Sequence, residues 1–537
     1  MTTIKFIELR ALGTLRAVPD LFSVEVFVSA PFLLALGPVA WGLCALLLTP
    51  STKFRLARTI VRTAALASLA GAGLAAYALV LGGAATAGHD VIDAVAFRLD
   101  ALSVVMASLV AFIGFVVTEY AYSYLAGDAR QVVFLRRLAM TLAAVSLLVV
   151  AGDLVLLLFA WVATSLALHG LLLFNDGRAA AMAAGRKKFV VARIGDGLLL
   201  LAVVLLGTAF HTTDVAELAA RAAQARASDA VPLTAVLGAL AVAAAALLKS
   251  AQFPTHGWLL EVMETPTPVS ALLHAGIVNA GGFLVLRLAD VLAAAPVALG
   301  LLAVVGATTA LIAACVMQTQ TSVKVTLAWS TVAQMGFMLL QCGLGAFSAA
   351  LFHLVAHGLY KAHAFLGSGG AVDAALDPAQ AARRASPPLW LAAASLLLLL
   401  GAYAALAPLA VWFVDPAHLA LGALVLVGLW QGLHRAGART LLLLPVLAGV
   451  GVLWLALQAG VREVLVSAFP QVALTSPFAW AALALLVFLA SLLALGQGAG
   501  SGRGWLARLR VHAAAGFYAN TIFDRLVRAD RLIPRAS

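Results

Sequence analysis

Residues 248–274 read LKSAQFPTHGWLLEVMETPTPVSALLH and lie inside a strongly apolar sequence. They nevertheless hold one lysine, two glutamates, two histidines and three prolines. A proline inside a helix removes a backbone donor and clashes with the preceding turn, so Pro254 predicts a break in the helix that carries Lys249. Because backbone groups freed by such a break cannot face lipid, this stretch predicts a polar, broken membrane span.

The composition of the whole chain is that of a helical membrane protein. Of its 537 residues, 64% are hydrophobic and 11% are charged, and continuous apolar runs of spanning length recur along the sequence. We therefore predict an all-α polytopic membrane protein with about 15 transmembrane helices. The net charge of +11 is carried largely by the connections between spans, so we expect the lipid bilayer as a partner and no nucleic acid.

Basic residues set the predicted orientation, because cytoplasmic connections collect Lys and Arg. We place the 50–62 connection in the cytoplasm and alternate from there. Lys187 and Lys188 then belong to a cytoplasmic connection ahead of a span at 189–210. This register predicts the N-terminus outside and the C-terminus inside.

We divide the chain into four parts. Residues 1–96 are predicted to form an N-terminal arm and two spans, 371–500 the remaining spans, and 501–537 a tail. The part at 97–370 is the core, and its conducting role is what the resemblance described below implies. The tail alternates apolar residues with seven arginines, which predicts one or two basic amphipathic helices on the cytoplasmic face. Binding to anionic lipid and docking to a partner subunit are the two alternatives for this tail.

Charged and histidine side chains within predicted spans are candidates for an ion path. Each charge near the bilayer centre costs on the order of 2.5–3.5 kcal/mol, so its presence needs a reason. His353, His357 and Lys361 are spaced i, i+4 and i+8 and predict one polar stripe. For a single buried histidine a structural role is the alternative, but the stripe together with Lys249 favours a proton or cation path.

Two further sites carry acidic residues. Arg193 and Asp196 are spaced i and i+3, which allows an ion pair within one helix. Asp153 begins its span, where it can serve the ion path or lie at the membrane interface. The three cysteines, Cys44, Cys315 and Cys342, lie in apolar runs without a Cys/His cluster, so we expect no metal site and no cofactor on this chain.

A short repeated sequence pattern indicates an internal structural repeat. The spacing of Pro254 and Trp258 recurs at Pro408 and Trp412, five predicted spans later. An odd number of spans reverses the direction of the second copy, as inverted repeats require. The position of Lys249 is occupied by Tyr403 in that second copy.

Four stretches resemble a known family: LLKSAQFPTHGWL at 247–259, TPTPVSALLHAGIV at 265–278, QTSVKVTLAWSTVAQMGFM at 320–338 and FHLVAHGLYKAHAFL at 352–366. They are similar to the large antiporter-like membrane subunits of respiratory complex I and of Mrp-type cation/proton antiporters. The resemblance implies inverted repeats with broken helices and a proton-conducting polar axis. The family's functional positions fall on Lys249, His274, Lys324, His353, His357 and Lys361.

Departures from this pattern point to one branch of the family. Complex I relatives carry a glutamate after the tryptophan of the fifth span, where Trp161 is followed by Val162, and METPTPVSA adds Glu264. The stretches WVATSLALH, RKKF and HGWLLEVMETPTPVSALLHAGIVNAGGFL resemble the membrane subunit of DAB-type inorganic-carbon accumulation complexes. That resemblance implies a bacterial cytoplasmic (inner) membrane and a DabA-like soluble zinc subunit on the cytoplasmic face.

The resemblance implies that this chain is not an enzyme by itself. It would conduct protons or sodium and so drive the conversion of CO2 to bicarbonate by the partner. We expect Lys249 to accept and release a proton under the influence of Glu264 or Asp153, with His274 and the Lys324, His353, His357 and Lys361 axis carrying the charge onward. A proton-pumping or antiporter subunit of a complex I-like or Mrp-like complex is the alternative, and a non-conducting scaffold is a third.

Overall fold

A computed structural model describes residues 30–88, 95–175, 179–262, 265–370, 421–422, 425–427, 430, 440–465, 468–472 and 504–527. Most of these described residues are helical. The helices of the first half are α1 Phe32–Leu47, α2 Phe54–Gly82, α3 Ala101–Tyr124, α4 Gln131–Val150, α5 Leu154–Leu172, α6 Ala179–Phe210, α7 Val215–Ala227 and α8 Leu233–Lys249. Those that follow are α9 Gly257–Glu261, α10 Thr267–Ala275, α11 Ala280–Arg287, α12 Ala289–Ala293, α13 Pro296–Met317, α14 Val323–Gly343, α15 Phe347–Leu366, α16 Thr440–Leu465, α17 Gly504–Ala514 and α18 Ala519–Val527.

Eight stretches of the described residues are long and apolar enough to cross a membrane. They are Phe54–Gly82, Ala101–Tyr124, Gln131–Val150, Leu154–Leu172, Met182–Phe210, Thr267–Arg287, Pro296–Met317 and Val323–Gly343, while α1 and α8 are shorter apolar helices. The polytopic helical class is therefore confirmed. The total of about 15 helices stays a prediction, and the second copy of the repeat, with Tyr403, Pro408 and Trp412, lies outside the described residues.

A small antiparallel ribbon departs from the all-α prediction. Strands β1 Ala85–Ala87 and β2 Phe97–Leu99 pair in the register Ala85 with Leu99. The backbone N–H of Gly152 also donates to Ala96, the residue before β2, at 2.7 Å. These connections are extended segments whose backbone groups need partners, and they satisfy one another at this end of the bundle.

The predicted break at Pro254 is present. Helix α8 ends at Lys249, a non-helical link follows, and α9 begins at Gly257. The next predicted span is also interrupted, because α10 ends at Ala275 and α11 begins at Ala280. Asn279 donates to the carbonyl of Ala275 at 2.8 Å and so satisfies a backbone acceptor at this second interruption.

The predicted loop position of Lys187 and Lys188 is wrong. Helix α6 begins at Ala179, and both lysines lie within it, 0% and 5% exposed. A high density of basic residues is typical of a connection between spans. Here, hydrogen bonds and ion pairs with residues distant in sequence hold both lysines in the protein interior. Helix α2 likewise begins earlier than predicted, so Arg55, Arg58 and Arg62 are helical.

Close helix packing builds the interior around the two interrupted segments. Helix α6 packs on α8, α13 on α14, and α10 on both α3 and α15. A Cβ at Gly306 of α13 would lie 2.6 Å from the backbone oxygen of Gly336 of α14, so glycine at this crossing permits the two backbones to touch. This packing places the break after Lys249 and the stripe on α15 within one continuous core.

The tail forms two helices, as predicted, and its second helix docks on the chain itself. Asn520 of α18 donates to Glu261 of α9 at 2.8 Å, and Asp524 of α18 forms an ion pair with Lys187 of α6. Lys187 also pairs with Glu261. Neither of the two predicted alternatives, lipid or a partner subunit, includes this contact.

Candidate functional site

Lys249 faces a small cavity at the end of the broken helix. Its Nζ lies 4.4 Å from the ring centroid of Trp161 on α5, in a cation–π contact. The cavity is also lined by Trp258 of α9 and by Lys188 of α6, and its volume is about 20 Å³. That volume has room for one water molecule.

The carboxylate nearest to this pair of lysines belongs to the predicted Arg193–Asp196 pair. Arg193 Nη2 lies 2.6 Å from Asp196 Oδ2, so the spacing on α6 produces the expected ion pair. Asp196 also interacts electrostatically with Lys249 and Lys188. Lys188 donates to the backbone oxygen of Ser165 and to its hydroxyl, the latter at 3.2 Å.

Asp153 and Glu264 are the two carboxylates predicted to influence Lys249. Asp153 caps α5, accepting from the backbone N–H of Val155 and from the Thr213 hydroxyl, both at 2.6 Å. Both its oxygens are therefore used at the start of the helix, which favours the interfacial alternative. Glu264 lies outside the described residues.

His274 begins a polar chain that runs into α14. Its Nδ1 lies 3.0 Å from the hydroxyl of Thr331, and its ring stacks on Phe365 with centroids 4.4 Å apart. Thr331 donates to the backbone oxygen of Leu327 at 3.1 Å, and Lys361 donates to that same oxygen at 3.0 Å. One carbonyl thus joins the histidine of α10 to the lysine of α15.

The histidine stripe lies against the same helix. His353 is held between two glutamines of α14, with Nδ1 2.8 Å from Gln341 Oε1 and Nε2 2.8 Å from Gln334 Oε1. Its ring centroid lies 6.1 Å from that of His357, one turn along α15. His357 and Lys361 are 4% and 0% exposed. Two residues of the stripe are therefore internal, while His353 at its start is partly exposed beside the exposed Gln334.

Lys324, the second residue of α14, contacts the broken region from another side. Its Nζ donates to the hydroxyl of Thr267, the first residue of α10, at 3.1 Å. The three cysteines are free. Within the described residues no cluster of three or more His, Cys, Asp or Glu side chains could hold a metal ion.

Sequence reasoning missed the polar partners on α14. Ser330, which accepts a hydrogen bond from Lys361 at 2.8 Å, is followed by Gln334 and Gln341 at i+4 and i+11. This spacing places the three on one helical face and could have been found in the sequence. Lys188 was missed for a different reason, since adjacent basic residues at the start of a span are typical of a connection.

The fold and these contacts define a polytopic membrane subunit with a broken helix and a buried series of lysines and histidines. Residues 151–443 match the family described as NADH:quinone oxidoreductase/Mrp antiporter, TM, and residues 92–135 match the N-terminus of NADH-ubiquinone oxidoreductase (complex I) chain 5. The chain belongs to the antiporter-like membrane subunits of the NADH:quinone oxidoreductase and Mrp family.

Individual relatives refine the comparison. The chain is 47% identical over 280 residues to the probable inorganic carbon transporter subunit DabB2 of Halothiobacillus neapolitanus, covering 52% of this chain and 50% of that protein. It is 37% identical over 305 residues to NADH-quinone oxidoreductase subunit L of Pseudomonas aeruginosa, covering 56% of this chain and 48% of that protein. The chain therefore spans about half the length of the curated relatives it matches.

A solved structure extends the similarity of fold to almost the whole chain. The Mrp complex from Dietzia sp. DQ12-45-1b is 25% identical, with a TM-score of 0.56, over 95% of this chain and 58% of that chain.

Proposed function

We propose that this chain is the cation-conducting, energy-coupling membrane subunit of a two-component inorganic-carbon uptake complex. The observation that carries the proposal is Lys249, which ends a broken helix and faces a cavity, in the same core as the buried chain from His274 to Lys361. The similarity to a probable inorganic carbon transporter subunit supplies the cargo. Lysine and histidine exchange protons readily, which favours protons over sodium as the ion.

The rest of the machine follows from the same proposal. The complex lies in a bacterial cytoplasmic membrane with the N-terminus of this chain outside and its C-terminus inside. A DabA-like soluble zinc subunit binds the cytoplasmic face and converts CO2 to bicarbonate, while this chain carries no cofactor. Protons moving inward through Lys249 make that conversion effectively one-way.

Growth of a carbonic-anhydrase-deficient bacterium in air tests the proposal. The chain is co-expressed with its soluble partner, and we expect rescue that is lost with Lys249→Ala and with a protonophore. The exposed Lys53→Met variant is the matched control and should rescue fully. Full rescue by Lys249→Ala, at equal membrane abundance, would refute the role of Lys249, and rescue without any proton or sodium gradient would refute the coupling.

The alternative is a proton-pumping or antiporter subunit of a complex I-like or Mrp-like complex, favoured by the 37% identity to subunit L. It predicts cation/proton exchange in membrane vesicles and no rescue of growth in air. Val162, which follows Trp161 on α5, provides no carboxylate beside Lys249, and this counts against the pump.

A further inference from the structure

A second lysine, which is buried, lines the cavity beside Lys249. Lys188 lines it from α6, and its side chain is shielded from solvent, with 5% of the residue exposed. Helix α5 positions both amines. Trp161 lies beneath Lys249, and Ser165, one turn later, accepts two hydrogen bonds from Lys188. Two amines from different helices are therefore held by one face of a third helix, around a space for one water molecule.

The charges around these lysines are unbalanced. Arg193 and Asp196 of α6 are paired with each other, so the single nearby carboxylate already has a cation. His169 of α5 is a further basic group that interacts electrostatically with Lys188. Glu261 of α9 and Asp524 of α18 are held by Lys187, one residue before Lys188. Among the described residues, the carboxylate that interacts with Lys188 and Lys249 is that of Asp196, which Arg193 already holds in an ion pair.

Three cations, Arg193, Lys188 and Lys249, share the single carboxylate of Asp196. Holding both lysines as ammonium groups there is unfavourable, because each loses hydration and repels the other. Interacting groups of this kind bind and release protons as a pair. The cavity therefore favours a state with one protonated amine and one neutral amine.

We propose that Lys188 and Lys249 form a two-lysine proton site, in which Lys188 is a second proton carrier of the conduction path. The proton leaves Nζ of one lysine for a water in the cavity, and that water returns a proton to Nζ of the other lysine. One N–H bond breaks and one forms, and no redox partner is needed. The inference rests on the proposed proton conduction through Lys249.

Proton flux into proteoliposomes tests the site. The full chain is reconstituted with its soluble partner, a pH gradient is imposed, and an internal pH-sensitive dye reports the flux over a range of pH. We expect Lys188→Met and Lys188→Gln to lower the flux roughly tenfold or more. Lys188→Arg should be equally impaired, because an arginine keeps its proton at every pH of the assay. Lys53→Met is the control and should conduct as the wild type does.

The outcomes separate this inference from the proposed function. If the wild type does not conduct, conduction itself is refuted. If the wild type conducts and both Lys188→Met and Lys188→Gln match its flux and its pH profile, the two-lysine site is refuted while conduction survives. Restoration of flux by Lys188→Arg would also refute it, since a fixed positive charge would then suffice. Variants are compared at equal reconstituted amounts and with the same elution volume in detergent.

Discussion

Asp100 shows how one residue joins two distant parts of the chain. It caps α3 by accepting from the Ser103 backbone N–H at 2.7 Å, and it pairs with Arg98 at 2.5 Å and with Arg287 of α11 at 2.7 Å. Burial by itself raises the pKa of the Asp100 carboxyl, but the charges of Arg287 and Arg98 and the bond from Ser103 outweigh it and hold that pKa well below its usual range. The ionised form therefore stabilises the junction.

Asp100→Asn keeps the helix cap and removes only the charge, because asparagine is an equally good capping residue. Arg287, 6% exposed, would lose its carboxylate partner. We expect a loss of about 3 kcal/mol in the free energy of unfolding, measured by thermal denaturation in detergent. The exposed pair of Glu217 and Arg221 provides the control, and Glu217→Gln should leave the midpoint almost unchanged.

The contribution of Asp100 to stability should depend on pH. Because the pKa of folded Asp100 lies below its unfolded value of about 3.9, its stabilisation is present above that value and is lost as pH falls towards the folded pKa. The wild type should therefore lose stability below about pH 4, and Asp100→Asn should lose less. An identical acid dependence in both proteins would contradict this account.

At the scale of the element, the tail helix α18 is joined to the broken region by a small set of contacts. Asn520 donates to Glu261, and Lys187 joins Glu261 to Asp524. Gly257, the first residue of α9, permits the approach, because a Cβ there would lie 1.9 Å from Asn520 Oδ1. A side chain at residue 257 would therefore displace Asn520 from its position beside Glu261.

Gly257→Ala should loosen this contact. The asparagine must move and lose its bond to Glu261, worth about 1 kcal/mol, so backbone hydrogen exchange across 516–527 should accelerate about fivefold. Gly73→Ala, where no neighbouring atom lies within 4 Å, is the matched control and should leave exchange in the tail unchanged. Unchanged exchange in Gly257→Ala would show that α18 does not dock on α9.

At the scale of the whole molecule, the buried polar groups form a connected series. The chain from His274 through Thr331 and the Leu327 carbonyl to Lys361 joins α10, α14 and α15. Groups that act in series are not independent, so their removal is not additive.

His274→Phe and Lys361→Met should each lower proton flux. The flux of the double variant should equal that of whichever single variant has the lower flux. The measurement is the same dye-reported flux in proteoliposomes. Leu359→Met is the control, because it replaces one apolar side chain by another of similar size at a residue of α15 that is 42% exposed. Multiplicative losses in the double variant would show that the two residues act independently, which would contradict a connected series.

The sequence predicted the local features of this site and few of its partners. The break at Pro254, the stripe on α15 and the Arg193–Asp196 pair follow from proline chemistry and helical spacing, which act within a few residues. The partners are far away in sequence: Lys187 and Glu261 are 74 residues apart, Arg287 and Asp100 187, and Asn520 and Glu261 259. Such pairs depend on which helices pack together, and helical period does not encode that.

Sequence alone determined that this chain is a polytopic helical membrane protein, that its helix breaks after Lys249, and which titratable residues share the face of α15. Hydrophobicity, proline and the 3.6-residue period are properties of short segments, so they can be read without a fold. Tertiary structure alone decided that Lys187 and Lys188 are buried, that glutamines hold His353, and that α18 returns to the broken helix. Those outcomes arise because buried polar groups must find partners, and packing determines which ones are within reach.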